Sequence, residues 1–301
     1  VAQRTVQTIP LSGCLLLLLV CSLWGGNMVS IKISDQGIPP CLAATGRSAV
    51  AALCVFLYTR LNRRRVWLAG RDLWHGVVIG VLFGLDFLFL YWGTAFTHAS
   101  RAVIFLYTHP FWVAVGAHLL IAHDRLTPAK GGGLLLAFAG LLLVFGSRSP
   151  QLNPNHWIGD LMEVVAALFW AATTIYIKRT LSSRPISHFQ TLFAQLLFSI
   201  PVLAAASYFL EGGRHLELNT AVAAAFGYQS LVVAFISYQV WFWMIHRFAV
   251  SRLAAFTFLV PFFGVSFSGI VLGESLPLLL WGGFFLVATG IYIVNRPERT
   301  V

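Results

Sequence analysis

Ten apolar stretches, separated by short polar breaks, constrain this 301-residue chain more than any motif does. They fall near residues 11–31, 39–59, 74–96, 101–121, 129–147, 157–177, 187–209, 221–245, 251–272 and 277–294. About 20 apolar residues in a helix cross the hydrocarbon core of a bilayer. Inside hydrocarbon every backbone N–H and C=O must be satisfied by the chain itself, which leaves helices or a closed barrel. Stretches of this length without strict alternation select helices. The breaks carry turn residues: Gly37-Ile38-Pro39-Pro40, Arg63-Arg64-Arg65, Ser147-Arg148-Ser149-Pro150 and Glu211-Gly212-Gly213. The expected fold class is therefore an all-α polytopic membrane protein of ten transmembrane helices.

Composition closes off the other classes. Hydrophobic residues make up 58% of the chain and charged residues 10%, where a soluble protein carries about a quarter charged. No length remains for a soluble catalytic domain. The formal charge of +10 would suggest nucleic acid in a soluble protein, but here the placement of the cations matters more. With the N-terminus inside, 15 Lys and Arg fall on the cytoplasmic side, Arg4, Arg60, Lys178 and Arg299 among them. Only 4 fall opposite: Lys32, Arg101, Arg148 and Arg214. The positive-inside rule then places both termini in the cytoplasm. The first apolar run continues to Ile33, too far for a signal peptide, and is kept as a span. Cys14, Cys21, Cys41 and Cys54 show no CxxC or Cys/His ligand spacing, so they read as packing residues, with no metal site and no disulfide scaffold. Short loops and the absence of an N-x-[ST] site fit a bacterial inner-membrane protein.

The chain also matches itself. Trp24 to Lys32 aligns with Trp170 to Lys178, an offset of 146. Ser100-Arg101, Phe105 and Pro110-Phe111 recur as Ser251-Arg252, Phe256 and Pro261-Phe262, an offset of 151. Gly132-Gly133, Leu136, Gly140 and Val144 recur as Gly282-Gly283, Leu286, Gly290 and Val294, an offset of 150. Two repeats, 1–150 (helices 1–5) and 151–301 (helices 6–10), each hold an odd number of spans and so insert with opposite orientation. Such inverted repeats support inward-open and outward-open states of similar energy, with the binding site near the midplane.

These residues resemble the drug/metabolite transporter superfamily, EamA type. Leu23-Trp24-Gly25-Gly26-Asn27 with Lys32 is similar to its opening motif. Ser100-Arg101-Ala102 with Pro110, and Ser251-Arg252 with Pro261, Gly273-Glu274, Gly283 and Gly290, resemble the closing signature of each half. The resemblance covers nearly the whole chain and implies ten helices and export of small metabolites; among relatives it is most similar to bacterial amino-acid exporters. Two positions depart from the pattern. His123-Asp124 stands where the family often has Gly-Glu, and Ala171 takes the place corresponding to Gly25.

Ionisable groups in hydrocarbon are costly and become functional candidates. Arg47, Asp86, His109 and Glu163 qualify. Arg47 lies about 12 Å into its span and Asp86 lies mid-span, where the two could form a buried pair. Asp86 reads equally as a path-lining or proton-coupled group and as half of that pair; Arg47 reads first as structural. His109 precedes Pro110, whose missing N–H bends the backbone, and it reads as a proton switch or as a satisfied core histidine. Arg101, Phe105, Thr108, His109 and Trp112 share one helical stripe, and Glu163, Trp170 and Thr174 another, with Glu163 expected near a watery vestibule. Trp24 and Asn27 share a face, and Trp170 is the repeat counterpart of Trp24. The expected substrate path comprises Trp24, Asn27, Asp86, Thr108, His109, Trp112, Glu163, Trp170 and Tyr238, with Gln239, Trp241 and Trp243 as weaker members and Pro110 and Pro261 as hinges. Gly76, Gly80 and Gly84, and Gly269 with Gly273, have the spacing of close helix packing.

The leading expectation is a secondary transporter exporting small metabolites, amino acids first, by alternating access. Nucleotide-sugar or drug and amine transport are the alternatives; sugar nucleotides would need several intramembrane cations, and only Arg47 is clearly one. The chain carries no HExxH, P-loop GxxxxGK[ST] or GxGxxG pattern, so no enzymatic activity, ATP use or cofactor is expected. A scaffold would show no saturable flux and would tolerate Asp86→Asn and His109→Ala. Expected partners are a small-molecule substrate, the bilayer and a candidate proton, with no nucleic acid and a monomeric state.

Overall fold

The computed structural model describes residues 9–146, 154–212, 216–273, 276 and 278–296. Arg4, Arg148, Arg214 and Arg299, the Ser147 to Pro150 break, Gly213 and Glu274 lie outside the described residues. Among the described residues all regular structure is helical. Nine helices among them are long and apolar enough to cross a membrane: α1 (Leu11–Ser34), α2 (Pro40–Leu61), α3 (Asp72–Thr94), α4 (Ala99–Leu120), α5 (Pro128–Phe145), α6 (His156–Leu181), α7 (His188–Leu210), α8 (Thr220–Arg247) and α9 (Val250–Leu272). A tenth apolar helix, α10 (Leu279–Asn295), is shorter, at 17 residues. Each matches one expected span within a few residues.

Two helices break where proline removes a donor. In α4 the helical hydrogen bonds stop after Leu106 and restart at His109, with Pro110 in the first turn of the new segment. In α9 the turn Thr257–Leu259 tightens to a 3₁₀ geometry before Val260 and Pro261. Two others widen: α6 ends in a π turn at Ile177–Leu181, and α8 is π-helical over Tyr228–Ser237. Such segments occur mostly where packing or function holds them open.

The packing repeats with the sequence. The most extensive contacts join α5 with α10, α3 with α6 and α7, α2 with α7 and α8, α1 with α8 and α9, and α4 with α6. Exchanging each helix for the one five places along the chain returns this same set of pairs. Glycines make the α5–α10 crossing reciprocal. A Cβ on Gly140 would lie 2.6 Å from the Gly283 carbonyl oxygen, and one on Gly283 would lie 2.7 Å from the Gly140 oxygen. Gly133 faces the Gly290 carbonyl oxygen in the same way, at 2.7 Å. The expected small-residue packing of α3 is also present, since Cβ atoms on Gly76, Gly80 and Gly84 would collide with Ala194, Phe198 and Val202 of α7.

The His123-Asp124 departure acquires a physical meaning here. His123 has φ 68°, the left-handed conformation, and Gly273, 150 residues on, also has φ 68°. The fold needs a left-handed residue after each broken helix, and His123 adopts it despite its Cβ. Asp124 is buried; Oδ2 accepts from Ser251 N at 3.1 Å, Oδ1 accepts from Ser251 Oγ, and Lys130 Nζ donates to Oδ1 at 3.4 Å. It therefore anchors the start of α9.

Two stability outcomes follow. His123→Gly relieves a left-handed cost of about 1 kcal/mol and is expected to raise the melting temperature of the detergent-purified protein. Gly140→Leu forces α5 from α10 and is expected to destabilise by about 1–3 kcal/mol, read as lost monodispersity or an earlier melt.

Candidate functional site

The helix ends at one side of the bundle frame a cavity of about 380 Å³. Its mouth lies between the end of α1 (Lys32, Asp35), the start of α2 (Pro40), the end of α3 (Thr94) and the start of α4 (Ala99). Along α1 and α3 the wall runs from Asp35 to Trp24 and from Thr94 to Phe83, about 16 Å of helix on each, or half of a hydrocarbon core. On the far side its floor reaches Tyr107, Ile177, Trp241, Phe242, Ile245 and Val260. Beneath the floor the bundle is packed: Ile177, Leu181, Met244, Ile245 and Leu253 are buried in the main apolar cluster. Helices α5 and α10 contribute nothing to the wall.

Trp24 is the centre of the wall. Its Nε1 donates to Ser237 Oγ at 2.8 Å, and Ser237 is the last residue of the wide segment of α8. Its ring lies 5.1 Å from Trp241, 5.8 Å from Tyr238 and 6.2 Å from Trp170, centroid to centroid. Trp170 is itself backed by His109, stacked at 3.7 Å and 12°. Polar groups interrupt this aromatic surface at Asn27, Asp86, Thr173, Thr174 and Gln195. The buried Oδ1 of Asn27 and Oε1 of Gln195 have no hydrogen-bond partner among the described residues. An apolar wall with a few converging polar groups is the usual form of a small-molecule site.

Of the expected path, Trp24, Asn27, Asp86, Trp170 and Tyr238 line this cavity, whereas Thr108, His109, Trp112 and Glu163 do not. The α4 stripe is divided by the helix break. Trp112 is 39% exposed on the outer surface and donates to Thr108 Oγ1 at 3.2 Å, while Thr108 turns back to the Phe105 carbonyl at 2.6 Å. The His109 imidazole, read either as a proton switch facing a cavity or as a satisfied core histidine, is buried and hydrogen bonds through Nε2 to Thr257 Oγ1 at 3.0 Å. The breaks of α4 and α9 thus meet through these two side chains. Glu163, expected near a vestibule, is fully buried against α3 at Gly93. The expected Arg47–Asp86 pair is not made: among the described residues no hydrogen bond joins the two, and the Arg47 guanidinium lies against Phe87 and Tyr238 instead. Pro110 and Pro261 occupy corresponding places just after the breaks.

Several residues of the wall have no counterpart in the expected set: Phe83, Phe87, Tyr91, Tyr107 and Gln195. Gln195 was legible, since an amide in hydrocarbon is costly for the same reason as a charge; the aromatics were not, because such residues serve equally as core. Near the mouth Asp160 accepts from Thr97 Oγ1 at 2.7 Å and pairs with Arg101, which ties the start of α4 to α6. Both broken helices therefore begin on a carboxyl group, Asp160 for α4 and Asp124 for α9.

The EamA-like transporter family model matches residues 11–146 and again residues 157–296. The chain belongs to this family. It is 29% identical over 290 residues to a "Probable amino-acid metabolite efflux pump" of Salmonella typhimurium, covering 92% of this chain and 93% of that protein. The Escherichia coli protein of the same name is 27% identical, with the same coverage. An uncharacterized transporter of Bacillus subtilis, YoaV, is 24% identical over 91% of this chain and 93% of its own. A solved structure superposes with TM-score 0.79 over 93% of this chain and 95% of that one at 16% identity, which establishes the shared fold. The protein is thus a multi-pass membrane transporter of the EamA family, within the drug/metabolite superfamily.

Ser237→Ala leaves the Trp24 indole N–H without its acceptor. An unmet buried donor costs about 1–3 kcal/mol, so this EamA protein is expected to melt earlier and to show altered tryptophan emission.

Proposed function

We propose that this transporter exports amino acids, or small zwitterions like them, by alternating access. The observation that carries the reading is a cavity closed at one end, with Asp86, Asn27 and Gln195 set into a wall of Trp24, Trp170, Trp241 and Tyr238. Asp86 supplies an acceptor for an ammonium group, and the aromatic rings cover an apolar side chain. The names of the Salmonella and Escherichia coli relatives support the same substrate class.

Lys and Arg placement, 15 against 4, supports cytoplasmic N- and C-termini in this reading. The mouth at Lys32, Asp35 and Thr94 then faces outward, and the packed end faces the cytoplasm. In this reading the halves 1–150 and 151–301 rock about the cavity in a bacterial inner membrane, with Pro110 and Pro261 as the bends. A second reading has its own support: a carboxyl group among aromatic faces also suits an organic amine.

The test is uptake of a radiolabelled amino-acid panel and an amine panel into proteoliposomes of the purified protein, against empty liposomes. Saturable amino-acid flux, reduced at least 10-fold in Asp86→Asn and Trp170→Ala, is the expected result. Flux of amines alone from monodisperse protein would replace the first reading with the second; no flux of either would overturn both.

A further inference from the structure

The cavity has a recognised place for an ammonium group and none yet for a carboxylate. Arg47 is 1% exposed, and its guanidinium is always charged. A buried arginine kept only for structure is normally saturated, as Arg252 is: its Nη1 and Nη2 donate to the carbonyls of Asn295 and Arg296 at 3.3 and 3.2 Å. The half-buried Arg101 pairs with Asp160. Arg47 instead has no carbonyl or carboxylate on Nε, Nη1 or Nη2 among the described residues, and the polar group beside it is the Tyr238 hydroxyl of the cavity wall. Its guanidinium carbon lies 4.4 Å from the centroid of Phe87 and 5.9 Å from that of Tyr238, two rings that line the cavity. Arg47 and Asp86 also lie at one depth, each about eight residues from the mouth end of its helix, about 12 Å down. Two opposite charges at one level, not paired with each other, match the two charges of an α-amino acid.

We propose that Arg47 is the specificity-determining residue for the substrate carboxylate. It rests on the amino-acid reading above and narrows it. Turning of the Phe87 ring would open the guanidinium to the cavity, where its planar fork takes a carboxylate oxygen pair. Asp86 takes the ammonium of the same molecule, so a zwitterion is selected over a simple amine.

The test compares flux of phenylalanine with phenethylamine, and of leucine with isoamylamine, in wild type, Arg47→Gln and Arg47→Lys. The expected result is an amino-acid to amine preference that falls at least 10-fold in Arg47→Gln and lies between in Arg47→Lys, which keeps the charge and loses the fork. An unchanged preference in either folded variant overturns the assignment. Absence of amino-acid flux in the wild type overturns the underlying reading instead.

A separate observation concerns the two ends of the cavity. Lys178 is 5% exposed, and Nζ donates to the Ile245 and His246 carbonyls at 2.9 and 3.4 Å, joining the end of α6 to the end of α8 beneath the floor. Its repeat counterpart is Lys32, and the counterparts of Ile245 and His246, by the 151-residue offset of the adjoining Ser-Arg motif, are Thr94 and Ala95. Those three are exposed, and Lys32 and Thr94 line the mouth. The same latch is therefore closed at one end while its counterpart flanks the open mouth at the other.

We infer that in the opposite transport state Lys32 closes onto the carbonyls of Thr94 and Ala95 while Lys178 releases α8. In a chain with its four cysteines replaced, Lys32→Cys with Ala95→Cys is treated with a short bifunctional thiol reagent in proteoliposomes. Lys178→Cys with Ile245→Cys serves as the pair already closed. Cross-linking of both pairs, each stopping flux, is expected. Cross-linking of the Lys178 pair alone under every substrate gradient overturns the inference.

Discussion

Lipid accepts no hydrogen bonds, and this decides where the chain is allowed to be irregular. The α4 break at Tyr107–Thr108, the tightened turn of α9 and the wide segment of α8 all leave the regular ladder. Each lies against other helices. Tyr107 faces the cavity, Thr257 meets His109, and Ser237 holds Trp24. Departures from ideal helix geometry are thus concentrated around the cavity, where water or protein can satisfy what lipid cannot. The cavity wall draws on these segments and the residues next to them, Tyr107, Val233, Tyr238 and Val260 among them.

The repeat adds a second constraint: equivalent residues must tolerate two surroundings. Lys32 and Lys178 descend from one pattern, yet one lies at an open mouth and the other is buried on carbonyl oxygens. His123 and Gly273 share a left-handed backbone with unequal strain. Asp160 and Asp124 both receive the start of a broken helix, although one lies on α6 and the other in the loop after α4. What is preserved between the halves is the physical requirement, while the residue that meets it is free to change.

The ten helices were legible because an apolar run long enough to cross hydrocarbon fits little besides a membrane span, and the pairing of halves because glycines and prolines recur at fixed offsets. Of the site, Trp24, Asn27, Asp86, Trp170 and Tyr238 could be found from polarity, depth and repeat position. His109 and Glu163 satisfied the same criterion of charge in hydrocarbon but lie behind the wall, because that criterion locates buried polarity and carries no direction. Trp112 shares its helical stripe with His109 only if α4 is continuous; the break at Pro110 turns it outward. Phe87 and Tyr107 gave no signal, since an aromatic residue in a span reads as packing until a cavity is seen beside it.

The glycine seam of α5 and α10 lies apart from the cavity and supplies none of its lining. The other contacts between the halves involve helices that line the cavity, since α1, α3 and α6 both form its wall and pack across the repeats. A substitution in the wall on α1, α3, α6 or α8 leaves this one seam between the repeats intact. A scaffold that keeps one glycine seam apart in this way can vary the wall of its cavity over time while retaining one architecture.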